Sequence, residues 1–170
     1  LLLRAMPRII EENSAVILLI AGKPWKDDFS KYQEIINDLH IKSNCLLHIK
    51  FISYNDVEYY YSASDIVVLP YKKIYQSGVL MMSMSYGKPV VLSDLDSFKE
   101  IIEDKKSAFL FNSGDVKSLA DIINNTLDSP KLLKNIALNG LELMKDKYNW
   151  TEIGRQTHDA YYKINYFYKK

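Results

Sequence analysis

Cysteine is almost missing from this sequence. Cys45 stands alone among 170 residues, which excludes an internal disulfide framework and a cysteine metal cluster; the expectation for it is a buried thiol. Net charge is nearly missing too. With 22 basic and 21 acidic residues the balance is +1, so no bulk electrostatic field draws the chain to nucleic acid. The longest apolar run, residues 15–21, is far short of the roughly 20 residues that a membrane-spanning helix needs. The opening "LLLRAM" lacks the basic flank, apolar stretch and small-residue cleavage site of a signal peptide. A reducing, cytoplasmic setting is the expectation. No low-complexity tract, internal repeat or domain-marking linker interrupts the chain.

What is present is ordinary for one globular domain over 1–170, with 48% hydrophobic and 25% charged residues. The chain opens without an initiator methionine or a helix cap, yet "LLLRAMPRIIEE" places Leu1, Ala5 and Ile9 on one helical face. It reads as a helix entered partway along, and a fragment is the expectation. Pro7 fits near a helix start or at a kink.

The order of elements is more telling. "AVILLIAG" (15–22) is a continuous apolar run, as in a strand covered on both faces. "DDFSKYQEIINDLH" (27–40) has acidic residues at its start and an apolar face, so a helix is predicted. "LLHIKFI" (46–52) alternates as a strand, "NDVEYYYSAS" (55–64) reads as a short helix capped by Asn55, and "DIVVLP" (65–70) is a second apolar strand. A helix from about Gln76 to Tyr86 follows, then the strand "PVVLS" (89–93). "DSFKEIIED" (96–104) reads as a helix capped by Asp96 or Ser97, and "SAFLF" (107–111) as a strand. Residues 112–129 read as a turn and a helix capped at Asp115, with Leu119, Ile122 and Ile123 inward. The next helix has Ser129 as its cap and Pro130 in its first turn. The last is expected to start at a Thr151 cap. Strands alternating with helices predict an α/β domain with a doubly wound parallel sheet.

In open sheets of this kind, ligands sit beyond the carboxyl ends of the strands, at helix N-termini. "IVVLP" delivers the chain to such a point, and "YKKIYQSG" leads into the methionine-rich helix. Around Gln76, Ser77, Gly78 and Val79 the helix leaves N–H groups without internal partners. Gly78 allows close approach, Ser77 can cap the helix or donate its hydroxyl, and Lys72 and Lys73 add positive charge. These are ingredients of a phosphate site. Equally, Ser77 can simply cap a buried helix beside solvated lysines, and there is no Walker or Rossmann glycine fingerprint. The residues alone leave both readings open.

The helix body, with Val79, Leu80, Met81, Met82 and Met84, is apolar almost all round and predicts a buried central helix whose methionines are core. Ser83 and Ser85 are small enough for close approach to the sheet, and Gly87 and Pro89 fit a left-handed C-cap and stop. His40, His48 and His158 have no metal-ligand spacing and read as structural. No nucleophilic triad assembles from local spacing. Amphipathic packing explains most of the 13 tyrosines, and a partner surface is the alternative.

"ASDIVVLPY", "QSGVLMMSMSYGKPVV", "SDLDSFKEII", "FNSGDVKSLADIINNTLDSP" and "YNWTEI", in this order and spacing, resemble the C-terminal half of retaining GT-B glycosyltransferases, the group usually called group 1 or family 4. The resemblance runs over essentially the whole chain. It implies a domain that binds a nucleotide-diphosphate sugar donor, with the diphosphate on Gln76, Ser77, Gly78 and Val79 and the nucleobase near Ile52 and Ser53. It implies sugar transfer without a metal or other cofactor, and surface polysaccharide synthesis as a setting. It also places an acceptor domain, the opening strand and a diphosphate-clamping Arg and Lys before Leu1, so that this stretch alone is expected to be inactive. Peripheral membrane association belongs to the longer protein, and a transmembrane segment is not expected.

Two departures stand out. The family's Glu-x7-Glu pair falls on Ile74 and Met82, neither of which accepts a hydrogen bond as a carboxylate does; relatives with the "QSGV" form of the loop lack the pair as well. Without its first strand, the sheet has open edges at "AVILLIA" and "DIVVLP"; direct pairing of residues 16–20 with 65–69 is the expectation, and a segment from a partner in the gap is the alternative. The leading functional reading is a glycosyltransferase donor domain. Its rivals are a non-catalytic binding or regulatory module and, more distantly, a nucleotide-sugar epimerase.

Overall fold

Short parallel strands alternate with helices along the chain in the computed structural model, which describes residues 1–25 and 28–168. In order these are α1 (Leu2–Glu12), β1 (Leu18–Ala21), α2 (Ser30–Asp38), β2 (Cys45–His48), α3 (Tyr54–Ala63), β3 (Val67–Leu69) and α4 (Gly78–Ser85). There follow β4 (Val90–Ser93), α5 (Asp96–Lys99), β5 (Phe109–Phe111), α6 (Val116–Leu127), α7 (Pro130–Lys147) and α8 (Trp150–Tyr168). The α/β class with parallel strands between helices is the expected one. Asp27, at the predicted start of α2, and the last two residues of the chain lie outside the described residues.

The strands do not form one sheet. β1 pairs with β2, and separately β3 pairs with β4 and β4 with β5, every pair parallel. The expected pairing of residues 16–20 with 65–69 is therefore overturned. A strand edge pairs only when a backbone edge comes within ladder distance, about 4.8 Å. Here a cavity lined by Leu18 and Leu19 on one side and by Val67 and Val68 on the other lies between the two sheets.

β4 explains why the core sits where it does. All of Val90, Val91, Leu92 and Ser93 are buried, and alternation sends their side chains to opposite faces. Val91 joins Phe109 and Phe111 against α1 and α6 through Met6, Ile9, Leu119 and Ile123. Val90 and Leu92 pack on the other side with Leu80 and Met84 of α4, Phe98 and Met144. That is helix cover on both faces, as an apolar parallel strand requires. β1 is different. It was expected to be covered on both faces, but Ala21 and Ile17 are exposed and none of its four residues is fully buried. Cys45 at the start of β2 is half-buried rather than buried, and desolvation pushes its thiol pKa up.

Local chemistry shifted several predicted boundaries. Helix α5 stops at Lys99 instead of running to residue 104, because competing side chains close a turn there. Ser107 accepts the Glu103 N–H at 3.0 Å, and the Asp104 carboxylate accepts the Leu110 N–H at 2.8 Å. Ser53 rather than Asn55 holds the N-cap position of α3. Asn149 rather than Thr151 caps α8, its Oδ1 accepting the Glu152 N–H at 2.9 Å. Asp115 caps α6 as predicted, accepting from Ser118 N–H at 3.0 Å. Pro7 lies inside α1. His40, expected merely at a helix end, takes the left-handed conformation just after α2, with φ of 54°, a place where glycine is usual.

Candidate functional site

Helix α4 is held firmly at both ends. At its C-terminus Gly87 has a φ of 63°, the Gly87 N–H donates to the Met84 carbonyl at 2.9 Å, and the Lys88 N–H donates to the Ser83 carbonyl at 3.0 Å. This is the 6→1 and 5→2 pair of a Schellman stop. At its N-terminus Ser77 is buried, and its Oγ accepts the Leu80 N–H at 3.1 Å. The Ser77 carbonyl accepts the Met81 N–H at 3.3 Å. The loop ahead is pinned by the Ser97 hydroxyl, which donates to the Ile74 carbonyl at 2.9 Å.

Ser77 thus spends its hydroxyl acceptor on the cap, and Leu80 and Met81 are satisfied. Among the described residues, the N–H groups of Gly78 and Val79 meet no protein acceptor. Nothing lies within 4 Å of where a Cβ on Gly78 would stand. Two free donors at the positive end of a helix, with clear space beside them, can bind an anion. Gln76 is exposed beside them. Lys72 and Lys73 are exposed as well, and the Lys73 ammonium lies over the Tyr75 ring, 5.5 Å from its centroid.

A cavity of about 1150 Å³ runs between the two sheets and reaches this helix start. It brings Ile52 of the predicted nucleobase loop onto the same walls as Val79. Ser53 stands at the start of α3, its carbonyl accepting the Asp56 N–H at 3.0 Å. Gln76, Ser77, Gly78, Lys72 and Lys73 do not line the cavity. Ser77 and Gly78 form the helix start itself; burial first, and the charge of nearby Lys72 after it, lower the pKa of the Leu1 amino group.

Ile74 packs into the core beneath α4. Met82, predicted as core, is 43% exposed, and Val79 is 44% exposed; both side chains line the cavity. The apolar run misled here because the helix faces a void on one side instead of a covered sheet. Ser85 is exposed too, so the close approach rests on Ser83, which is fully buried and donates its hydroxyl to the Val79 carbonyl at 2.7 Å. Sequence reasoning missed a contact near the cavity wall: His48 Nδ1 lies 2.9 Å from the Tyr60 hydroxyl. Alternation on β2 and the helical run at 59–61 were the signals available. It also missed Trp25 and Phe51, both highly exposed at the cavity mouth. Among the described residues no group of His, Cys, Asp and Glu side chains could hold a metal ion, and no helix is long and apolar enough to cross a membrane.

The family described as "Glycosyl transferases group 1" matches residues 1–129. An uncharacterised glycosyltransferase of Methanocaldococcus jannaschii is 26% identical over 162 residues, covering 94% of this chain and 40% of that protein. Anabaena HepE, solved in complex with UDP-glucose, superposes with a TM-score of 0.85 at 20% identity, over 95% of this chain and 44% of that one. The C-terminal domain of a group 1 glycosyl transferase (LpcC) from Francisella tularensis gives a TM-score of 0.77 at 22% identity, over 87% of this chain and 77% of that one. The chain spans less than half the length of curated relatives such as the Methanocaldococcus protein.

Proposed function

The chain belongs to the group 1 glycosyl transferases, and from that premise we propose that it is the donor-binding domain of a retaining glycosyltransferase with a "QSGV" form of the donor loop. It holds a nucleotide-diphosphate sugar with the diphosphate on the first turn of α4. The observation that carries this is the pair of unpartnered N–H groups at Gly78 and Val79, open to approach. HepE, of like fold, is a UDP-glucose complex, which supports the choice of ligand class. The nucleobase lies beside Ile52, on the cavity wall that Val79 shares.

The chemistry this end can supply is electrostatic. As the bond from the sugar to the diphosphate breaks, negative charge grows on the leaving phosphate. Fixed donors at a helix start, aided by Lys72 and Lys73, stabilise that charge without reorganising. This reading assigns no side chain the role of a general base. Transfer itself requires an acceptor domain beyond these residues, so the chain alone binds donor without transferring sugar, and no metal takes part.

One observation favours a second reading, a module that binds a nucleotide sugar without catalysis. At the two positions where the resemblance implies a carboxylate pair, Ile74 is packed into the core and Met82 is a thioether on a cavity wall. A two-stage experiment separates the readings. Titrating the chain with UDP, GDP and ADP while following the Gly78 and Val79 amide resonances should move those two signals first. The longer protein is then assayed for sugar transfer and donor hydrolysis. Amides at 78 and 79 that ignore every diphosphate end the donor-site assignment; binding with neither reaction selects the module.

A further inference from the structure

Apolar burial alone does not place helix α3, for none of its residues is fully buried. Specific contacts place it instead, on two sides. Toward the three-stranded sheet, Tyr61 stacks on Tyr86, just past α4, with ring centroids 4.7 Å apart and planes 13° from parallel. The Lys88 ammonium, ahead of β4, donates to the Ser62 and Ser64 carbonyls at 3.3 and 2.9 Å, satisfying acceptors at the end of the helix. Toward the two-stranded sheet, Tyr60 meets His48, the last residue of β2. The His48 Nδ1 lies 2.9 Å from the Tyr60 hydroxyl, and the rings meet edge to face, at 88° and 5.6 Å. Helix α3 is therefore a strut between the sheets.

Histidine is a costly end for the apolar strand "CLLH". Its ring is half-buried, and a buried polar group loses free energy unless it is bonded. Phenylalanine would fill similar space without that cost. What the polar pair adds is direction, because a hydrogen bond holds one geometry. The pair brackets residues 49–53, with His48 at the entry of this segment and α3 at its exit. The His48 carbonyl also accepts the Gly22 N–H at 3.1 Å and the Lys50 N–H at 2.9 Å, so the chain leaving β1 is tied to the same residue.

We infer that His48 and Tyr60 are positioning residues for the donor, their bond fixing where segment 49–53 stands relative to the start of α4. The inference rests on the donor reading above, with the base beside Ile52 and the diphosphate at Gly78 and Val79. Those subsites belong to different sheets: Ile52 follows β2, whereas α4 joins β3 to β4. A nucleoside diphosphate has to span both, and α3 ties one to the other. Inorganic pyrophosphate engages the α4 end alone. Loosening the strut leaves the segment to be ordered on binding, which weakens the nucleotide and spares pyrophosphate.

Calorimetry gives Kd for UDP, GDP, ADP and inorganic pyrophosphate with the 170-residue chain and its variants, and Tm shows that each is folded. His48→Phe keeps a ring, Tyr60→Phe removes only the hydroxyl, and the double variant lacks both partners. His48→Asn returns an amide to the place of Nδ1. Each phenylalanine variant should bind the preferred nucleotide about three- to tenfold more weakly, the scale of one hydrogen bond, and pyrophosphate as the parent does. The double variant should lose no more than either single one, as a shared contact requires, and His48→Asn should recover most of the loss. Unchanged nucleotide affinity in Tyr60→Phe overturns the inference and leaves the donor site standing. An equal loss for pyrophosphate, additive losses in the double variant, or a His48→Asn chain as weak as His48→Phe does the same. Should His48→Phe not fold, Tyr60→Phe and His48→Asn decide between them. A parent that prefers no nucleotide over pyrophosphate removes the nucleobase subsite, and one that binds no probe removes the donor reading; either result takes this inference with it.

Discussion

Gly78, Gly140 and Gly154 are the same residue under three different constraints. At Gly78 a Cβ meets nothing within 4 Å, so Gly78→Asp should fold normally. A carboxylate in the first turn even favours the helix, by about 0.3–1 kcal/mol. The same carboxylate occupies the space where a diphosphate should rest and repels it. Calorimetric titration with UDP should show a loss on the order of 1–3 kcal/mol, the scale of charged hydrogen bonds left unmade, with Gly78→Ala losing less. Undiminished UDP affinity in a folded Gly78→Asp chain would rule out the site. Gly140 of α7 is a contact: an added Cβ would stand 3.1 Å from Met84 Cε and 3.2 Å from the Ser107 carbonyl oxygen. The methionine end can move, but the backbone oxygen cannot easily do so. Overpacking costs of about 1–3 kcal/mol exceed the roughly 1 kcal/mol of helix propensity that alanine adds. Gly154 of α8 has open space around it, so only the propensity gain remains there. Urea denaturation should find Gly140→Ala less stable and Gly154→Ala more stable than the parent, and the same sign for both would contradict the close packing of α4 on α7.

Among the elements, those with their own caps and patterns were legible and those decided by neighbours were not. Helix α6 was readable because Asp115 accepts the Ser118 N–H and its apolar face carries Leu119 and Ile123. The predicted turn at Gly87 was legible because only one backbone shape fits Gly-Lys-Pro after an apolar helix. Helix α5 was overextended because Ser107, three residues beyond the predicted end, closes the chain back on Glu103, a contact no local pattern shows. The burial of β1 and of Met82 was misjudged because an apolar run reports a preference for cover, not its presence. The helix start at 76–79 was visible as a possibility. Which of its N–H groups stay free became clear only once Ser77 was seen to cap Leu80. Helix α8 carries a prediction of its own. Glu152 bonds to Arg155 at 2.6 and 2.9 Å and to Gln156 at 2.7 Å, and these hydrogen bonds, Arg155 first, lower its pKa to about 2. A depressed carboxylate contributes stability that is fully present above its unfolded value, near 4.5, and is lost as pH falls through the folded value. Carboxyl NMR should therefore show Glu152 still ionised at pH 3, where an ordinary glutamate is mostly protonated. In Arg155→Ala the midpoint should return toward the ordinary range; a wild-type midpoint above 4 would contradict the Glu152–Arg155 pairing as the cause.

On the scale of the whole molecule, the two sheets are unequal partners. The three-stranded sheet has β4 at its centre, paired on both sides and buried throughout between α1 and α6 on one face and α4 and α7 on the other. The sheet of β1 and β2 has two strands, and Ile17 and Leu46, at 55% and 48% exposure, leave much of its apolar surface in water. A two-stranded sheet is marginal by itself and depends on what packs against it. Here that support comes from one side, through Ile36 and Ile41 around α2 and through α1, while the cavity keeps β3 out of reach. Opening β1 and β2 thus exposes far less new surface than opening β4, and local opening free energies follow the surface exposed. In native-state hydrogen exchange, amides of Val90–Ser93 should exchange only through global unfolding and respond steeply to added urea. Ladder amides of Leu18–Ala21 and Cys45–His48 should exchange through a smaller opening, at a free energy lower by several kcal/mol and with a weak response to urea. If both groups instead share one free energy and one urea slope, the two sheets unfold as a single unit, and the cavity between them transmits more than its open walls indicate.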